Sequence, residues 1–134
     1  MKLLRVRSQL DSKTLCGALD SLDAIAISIN SVGSLEEFEL AYHLAKRSFE
    51  KKKNIARKLK YEFILWLAGK NDIKSAMEAT TPLENDLEFF VVVFSDSSER
   101  KVLIKLDAKK ISLRLKKSGD PIRLEMISLS RVKN

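Results

Sequence analysis

Histidine and cysteine each occur only once, as His43 and Cys16. A lone cysteine excludes an intrachain disulfide and a cysteine metal site, so Cys16 is expected as a buried, reduced thiol. A lone histidine leaves no His–His pair for a metal, and His43, off the apolar stripe of its segment, is expected on the surface. A Cys16–His43 nucleophilic pair has no local motif behind it. Only four glycines and two prolines are present, which leaves little room for long flexible linkers. No apolar run approaches the roughly 20 residues that span a bilayer. The opening Met-Lys-Leu-Leu-Arg-Val-Arg scatters charge and has no signal-peptide core, so a cytoplasmic protein is expected. Gly-x-Gly-x-x-Gly and P-loop patterns are missing, so nothing obvious cradles a nucleotide phosphate. Glu84, Asp86 and Glu88 read as a solvated acidic strand entry, Asp96 and Asp107 as turn and cap. With no catalytic constellation, the chain is expected not to be an enzyme, with no cofactor and no small-molecule substrate.

What the chain has in quantity is positive charge, and it is sorted. Residues 43–60 carry Lys46, Arg47, Lys51, Lys52, Lys53, Arg57, Lys58 and Lys60 against the single acid Glu50, a net +7 that equals the charge of the whole chain. Residues 1–42 sum to −2, 61–99 to −6 and 100–134 to +8. Sorting of this kind bears on partners more than on fold, and a polyanion such as RNA is the natural one. A well-solvated lysine-rich surface is the plainer alternative.

At 134 residues and 45% hydrophobic content the chain suits one globular domain. Leu3–Arg7 reads as an edge strand. Asp11 or Ser12 caps a helix to about Leu22, and Ala24–Asn30 is a buried strand. Ser34-Leu-Glu-Glu37 fits a capping box opening a helix to about Lys52, with Leu35, Phe38, Tyr42, Ala45 and Phe49 on one stripe. Asn54 is expected to cap a second helix, Ile55–Ala68, whose face is Ile55, Leu59, Phe63 and Trp66 and whose stop is Gly69. Asn71 or Asp72 caps a third, to about Ala79. Leu87–Phe94 is the strongest strand signal. Ser95–Ser98 reads as a turn, Arg100–Leu106 as the returning antiparallel strand and Ala108–Lys117 as a helix. Asp120-Pro121 starts a last helix, Ile122–Val132. Its apolar residues cover more than one side, Ile122, Met126 and Leu129 on one and Leu124 and Ile127 on another, as a docking helix would. The sum is an α+β domain with helices packed on a small mixed or antiparallel sheet.

Ala41-x-x-x-Ala45, then Asn54-Ile-Ala with Glu62 eight residues after Asn54, then Ala68-Gly69-Lys-Asn-Asp-Ile73-Lys-Ser-Ala76 together resemble the small kinase-binding subunit of the KEOPS complex, the CGI-one-two-one family. That complex places threonylcarbamoyl on the adenosine beside the tRNA anticodon. The family's Ser-Gly-x-x-Gln-Ile-x-x-Ala segment is matched at Gly69, Ile73 and Ala76. It departs at Ala68 and Asp72. The resemblance covers about Ala24 to Phe94, and the further helix that many members carry between two C-terminal strands is expected to be replaced here by the Ser95–Glu99 turn.

The resemblance implies a regulatory, non-catalytic subunit that binds a small atypical protein kinase/ATPase and recruits tRNA through its single-stranded 3′ CCA end. The basic residues named above, with Tyr61 as a stacking ring and Lys70 nearby, are then the tRNA candidates. Ile122, Leu124, Met126, Ile127 and Leu129 are the kinase candidates, with Leu124 and Ile127 as the surplus face. A stand-alone RNA-binding adaptor using the same corner is the alternative, and a pure protein-interaction module is a third.

Overall fold

In the computed structural model, which describes residues 1–131, the order of elements is β1 (Lys2–Ser8), α1 (Ser12–Ser21), β2 (Ala24–Ile27), α2 (Leu35–Glu50), α3 (Leu59–Ala68), α4 (Ile73–Thr80), β3 (Glu88–Val93), α5 (Glu99–Lys105), β4 (Ala108–Ile111) and α6 (Pro121–Ser128). Val132, the expected end of the last helix, lies outside the described residues. The class is α+β, as the pattern indicated. Two compact units make it up: Met1–Ile29 with Thr81–Arg114, and Asn30–Thr80 with the chain from Leu115 onward.

The first unit is an antiparallel sheet in the order β2-β3-β1-β4. β1 therefore lies inside the sheet, not at its edge as expected. Leu4 and Val6 face the same side as Val91 and Phe89, which are their register partners, and as Ala24 and Ala26. On that side Leu19 and Leu22 from the first helix and Val102 and Leu106 from the fifth complete one core. Ile25, Ile27, Phe90 and Val92, pointing the other way, are buried as well. Burial of both faces explains the unbroken apolar run at residues 89–93.

Two expected elements are exchanged. Arg100–Leu106 is not a strand but holds α5, whose N-cap Ser98 accepts the Lys101 amide at 3.2 Å. Ala108–Lys117 is not a helix, and its first four residues are β4. Val102, Ile104 and Leu106 alternate as a strand would. In the structure Val102 and Leu106 are buried one helical turn apart and Ile104 is 69% exposed, so the period that matters is four. The turn expected to replace the family's extra helix is thus itself followed by a helix between the last two strands. Cys16 is exposed rather than buried, because α1 packs through Leu15, Ala18 and Leu19.

The second unit is helical. Ser34 Oγ accepts the Glu37 amide at 3.3 Å, the first half of the capping box read from the sequence, while Glu37 Oε2 reaches one residue further back than that motif requires, accepting the Gly33 amide at 3.0 Å and the Ser34 hydroxyl at 2.9 Å. The segment before α6 is tied to the start of α2, where the Leu35 and Glu36 amides donate to the Lys116 and Lys117 carbonyls. Phe38, Ala41 and Ala45 are buried along α2, and the Phe38 ring stacks on Phe63 with centroids 6.3 Å apart. α3 is buried on every side, from Glu62 through Leu67 without a break. It is the central helix of the unit. Gly69 ends it at φ +66°, a backbone that glycine adopts without strain.

Candidate nucleic-acid interface

The basic run begins in the last turns of α2, where Lys46 and Arg47 are exposed. The helix then closes with paired hydrogen bonds, the Lys52 amide to the Phe49 carbonyl and the Lys53 amide to the Ser48 carbonyl. The same pair closes α3, from the Gly69 amide to the Trp66 carbonyl and from the Lys70 amide to the Leu65 carbonyl. The two stops differ in one residue. The position that Gly69 fills at φ +66° is filled after α2 by Lys52 at φ +56°, where a side chain costs on the order of 1 kcal/mol. The turn keeps three consecutive lysines, Lys51, Lys52 and Lys53, all exposed.

The helix expected from Asn54 does not start there. α3 begins at Leu59, and Asn54 uses its Nδ2 to donate to the Ala56 carbonyl at 2.8 Å. The reason is Glu62. Its side chain has no solvent exposure, and Oε1 accepts the Ile55 and Ala56 amides at 3.0 Å each. A buried carboxylate needs donors, and here it takes them from backbone that would otherwise be helical. Arg57 and Lys58 follow as exposed residues of this turn. Lys60 is only 2% exposed, with its ammonium over the Tyr61 ring at 5.2 Å, so it is not part of the charged surface. Tyr61 is half-buried.

The second oxygen of Glu62 meets Arg131, the last described residue, at 2.6 Å. The Arg131 guanidinium lies over the Trp66 ring at 4.2 Å, and Trp66 Nε1 donates to Ser48 Oγ at 3.1 Å. Burial pushes the Glu62 pKa up. The hydrogen bonds from Arg131 and the Ala56 amide, the Arg131 charge and the Ile55 amide outweigh it, and the carboxyl ends below its ordinary value. Between these groups opens a cavity of about 630 Å³ lined by Arg47, Lys51, Lys53, Ile55, Trp66 and Arg131, among others. Of the basic residues marked in the sequence, Arg47, Lys51 and Lys53 converge on it; Lys46, Lys52, Arg57 and Lys58 stay on the outer surface, and Lys70 lies on another groove. Arg131 and Glu62 give this site its shape. Arg131 escaped notice in the sequence because its partner is 69 residues away.

A folded-state pKa below the unfolded value means that the unfolded chain binds the extra proton, so the Glu62 contribution is complete above about pH 4.5 and is lost as pH falls through the folded-state pKa. Thermal melts from pH 7 to pH 3 are expected to fall less steeply in Glu62→Gln than in the natural chain. Equal slopes would show that Glu62 carries no such charge.

The groove along α6, about 660 Å³, is the second candidate surface. Ile127 is buried and Leu124 half-buried, so these two are the inward side of the helix, not the surplus one. Ile122, Met126 and Leu129 are 68%, 67% and 49% exposed and line the groove with Lys70. The helix is anchored by Arg123, whose Nε lies 3.1 Å from Glu37 and whose Nη2 donates to the Ser31 carbonyl.

No protein-family model matches the chain, and no curated protein matches it. Among the described residues no helix is long and apolar enough to cross a membrane.

Proposed function

We propose that this chain is a non-catalytic regulatory subunit of a KEOPS-type tRNA-modifying assembly in the cytoplasm. It holds tRNA by the single-stranded 3′ CCA end at the basic corner and docks the small atypical kinase/ATPase on the exposed face of α6. The observation that carries the RNA half is the cavity on which Arg47, Lys51 and Lys53 converge, since concentrated cations over a shaped recess suit a phosphate-bearing strand end better than a flat charged surface does. The order and spacing of Asn54, Glu62, Gly69, Ile73 and Ala76 support the family assignment. So does the helix between β3 and β4, which many members of that family carry and which reads as a strand in the sequence. The kinase half is supported by three large apolar side chains left open on one helix.

The test is a titration of the chain against tRNA with and without its CCA end over a range of salt. Affinity is expected to fall as counterions compete and to drop when CCA is removed. Equal affinity for both tRNA forms would overturn the 3′-end reading. A pull-down from native lysate then separates the partners: tRNA without an atypical kinase would favour the stand-alone adaptor.

A further inference from the structure

We infer that Arg131 is a positioning residue for the basic corner: through Glu62 it fixes the turn of residues 51–58 and thereby links the α6 segment to RNA affinity. The inference rests on the reading of that corner as an RNA site. Four connections carry it. Arg131 stands three residues after the end of α6, its Nη1 lies 2.6 Å from Glu62 Oε2, and Glu62 Oε1 holds the Ile55 and Ala56 amides. Those amides belong to the turn between Lys53 and Lys58, so one carboxylate joins the segment after α6 to the backbone that presents the lysines.

The geometry also separates Arg131 from the cations around it. Its guanidinium lies over Trp66 and pairs with Glu62, its side chain is 13% exposed, and its charge is neutralised by a carboxylate at contact distance. Arg47, Lys51 and Lys53 line the same cavity from exposed positions. Phosphate attraction therefore belongs to those three. Arg131 orders the frame that aims them. Its Nε and Nη2 are buried without a protein partner among the described residues, so a direct contact with the ligand is the competing account that the test has to distinguish.

The experiment is a double-mutant cycle on the full chain, with a tRNA transcript as the probe. Arg131→Ala and Glu62→Gln are each expected to weaken binding by about tenfold, and the double variant to be no weaker than Glu62→Gln alone, because both changes break the same link. Arg131→Lys, which keeps the charge and loses the planar fork, is expected to recover only part of the affinity. If Arg131→Ala does not fold, Arg131→Lys completes the cycle. Hydrogen exchange provides a readout independent of RNA: the Ile55 and Ala56 amides are expected to exchange faster in Arg131→Ala while the centre of α3 stays protected. Additive affinity losses would show that Arg131 touches RNA on its own account, and unchanged affinity or unchanged exchange at Ile55 and Ala56 would remove the link; each overturns the inference. Absence of tRNA binding by the natural chain would fail the RNA reading instead, and the exchange result would still decide whether Arg131 orders the turn.

Discussion

Exchanging Arg47, Lys51 and Lys53 together for glutamine is expected to lower tRNA affinity about 50-fold at physiological salt and to flatten the dependence of log K on log salt by about 2. Both figures follow from a slope of roughly 0.7 for each phosphate contact to a single strand, counted for three contacts. These three are chosen over their neighbours because they line the cavity, whereas Lys60 is buried. All three are exposed, so stability is expected to change by less than about 0.5 kcal/mol each, and a binding loss is not a folding loss. The control is Arg100, Lys101 and Lys105, which carry the same charge on α5. If the control triple costs as much, net charge and not the corner governs binding. A titration at three or more salt concentrations reads both slope and affinity.

The sequence announced chain reversals better than it announced periods. Asp11, Ser34, Asp72 and Asp120 each accept a backbone amide at a helix start, and Gly69 ends α3 at positive φ. These signals are local: a side-chain oxygen or a missing Cβ acts within three residues of where it stands. The exchange of strand and helix in residues 100–117 shows what is not local. Val102, Ile104 and Leu106 satisfy both templates until the sheet decides, and the sheet places Ala108–Ile111 beside β1 while the preceding segment covers the core. The start of α3 was lost for the same reason, because the acceptor that unwinds Ile55 and Ala56 lies seven residues ahead of the first of them. At the site, a run of lysines was legible as charge but not as a surface. Lys60 sits in a helix that is buried on every side, so no outward face was left for it. The ion pairs Arg123–Glu37 and Arg131–Glu62 join residues far apart in the chain, and no spacing rule reports such pairs.

Replacing Ile122 and Met126 with glutamate is expected to abolish capture of the atypical kinase, weakening it by more than about 100-fold, while leaving tRNA binding and the melting temperature nearly unchanged. Each side chain is about two-thirds exposed, so little of the fold depends on it. Full burial of such a side chain against a partner contributes roughly 1.5–3 kcal/mol before association costs, and a carboxylate buried in its place would need a partner of its own. Point substitution is the informative form of this experiment. Removing residues from Pro121 onward would also remove Arg131, and breaking a buried pair by taking one member costs about 3–5 kcal/mol. The truncated chain would leave Glu62 buried and uncompensated and would disturb the corner as well as remove α6. With Arg123 and Arg131 in place, a kinase that no longer co-elutes on a sizing column has been turned away at the exposed face of α6, by lost apolar contact together with the two added carboxylates. If Ile122→Glu/Met126→Glu still co-elutes with the kinase, docking belongs to another surface. The exposed sides of α2 and α4 would then be the next to substitute, because α3 between them is buried and offers no face of its own.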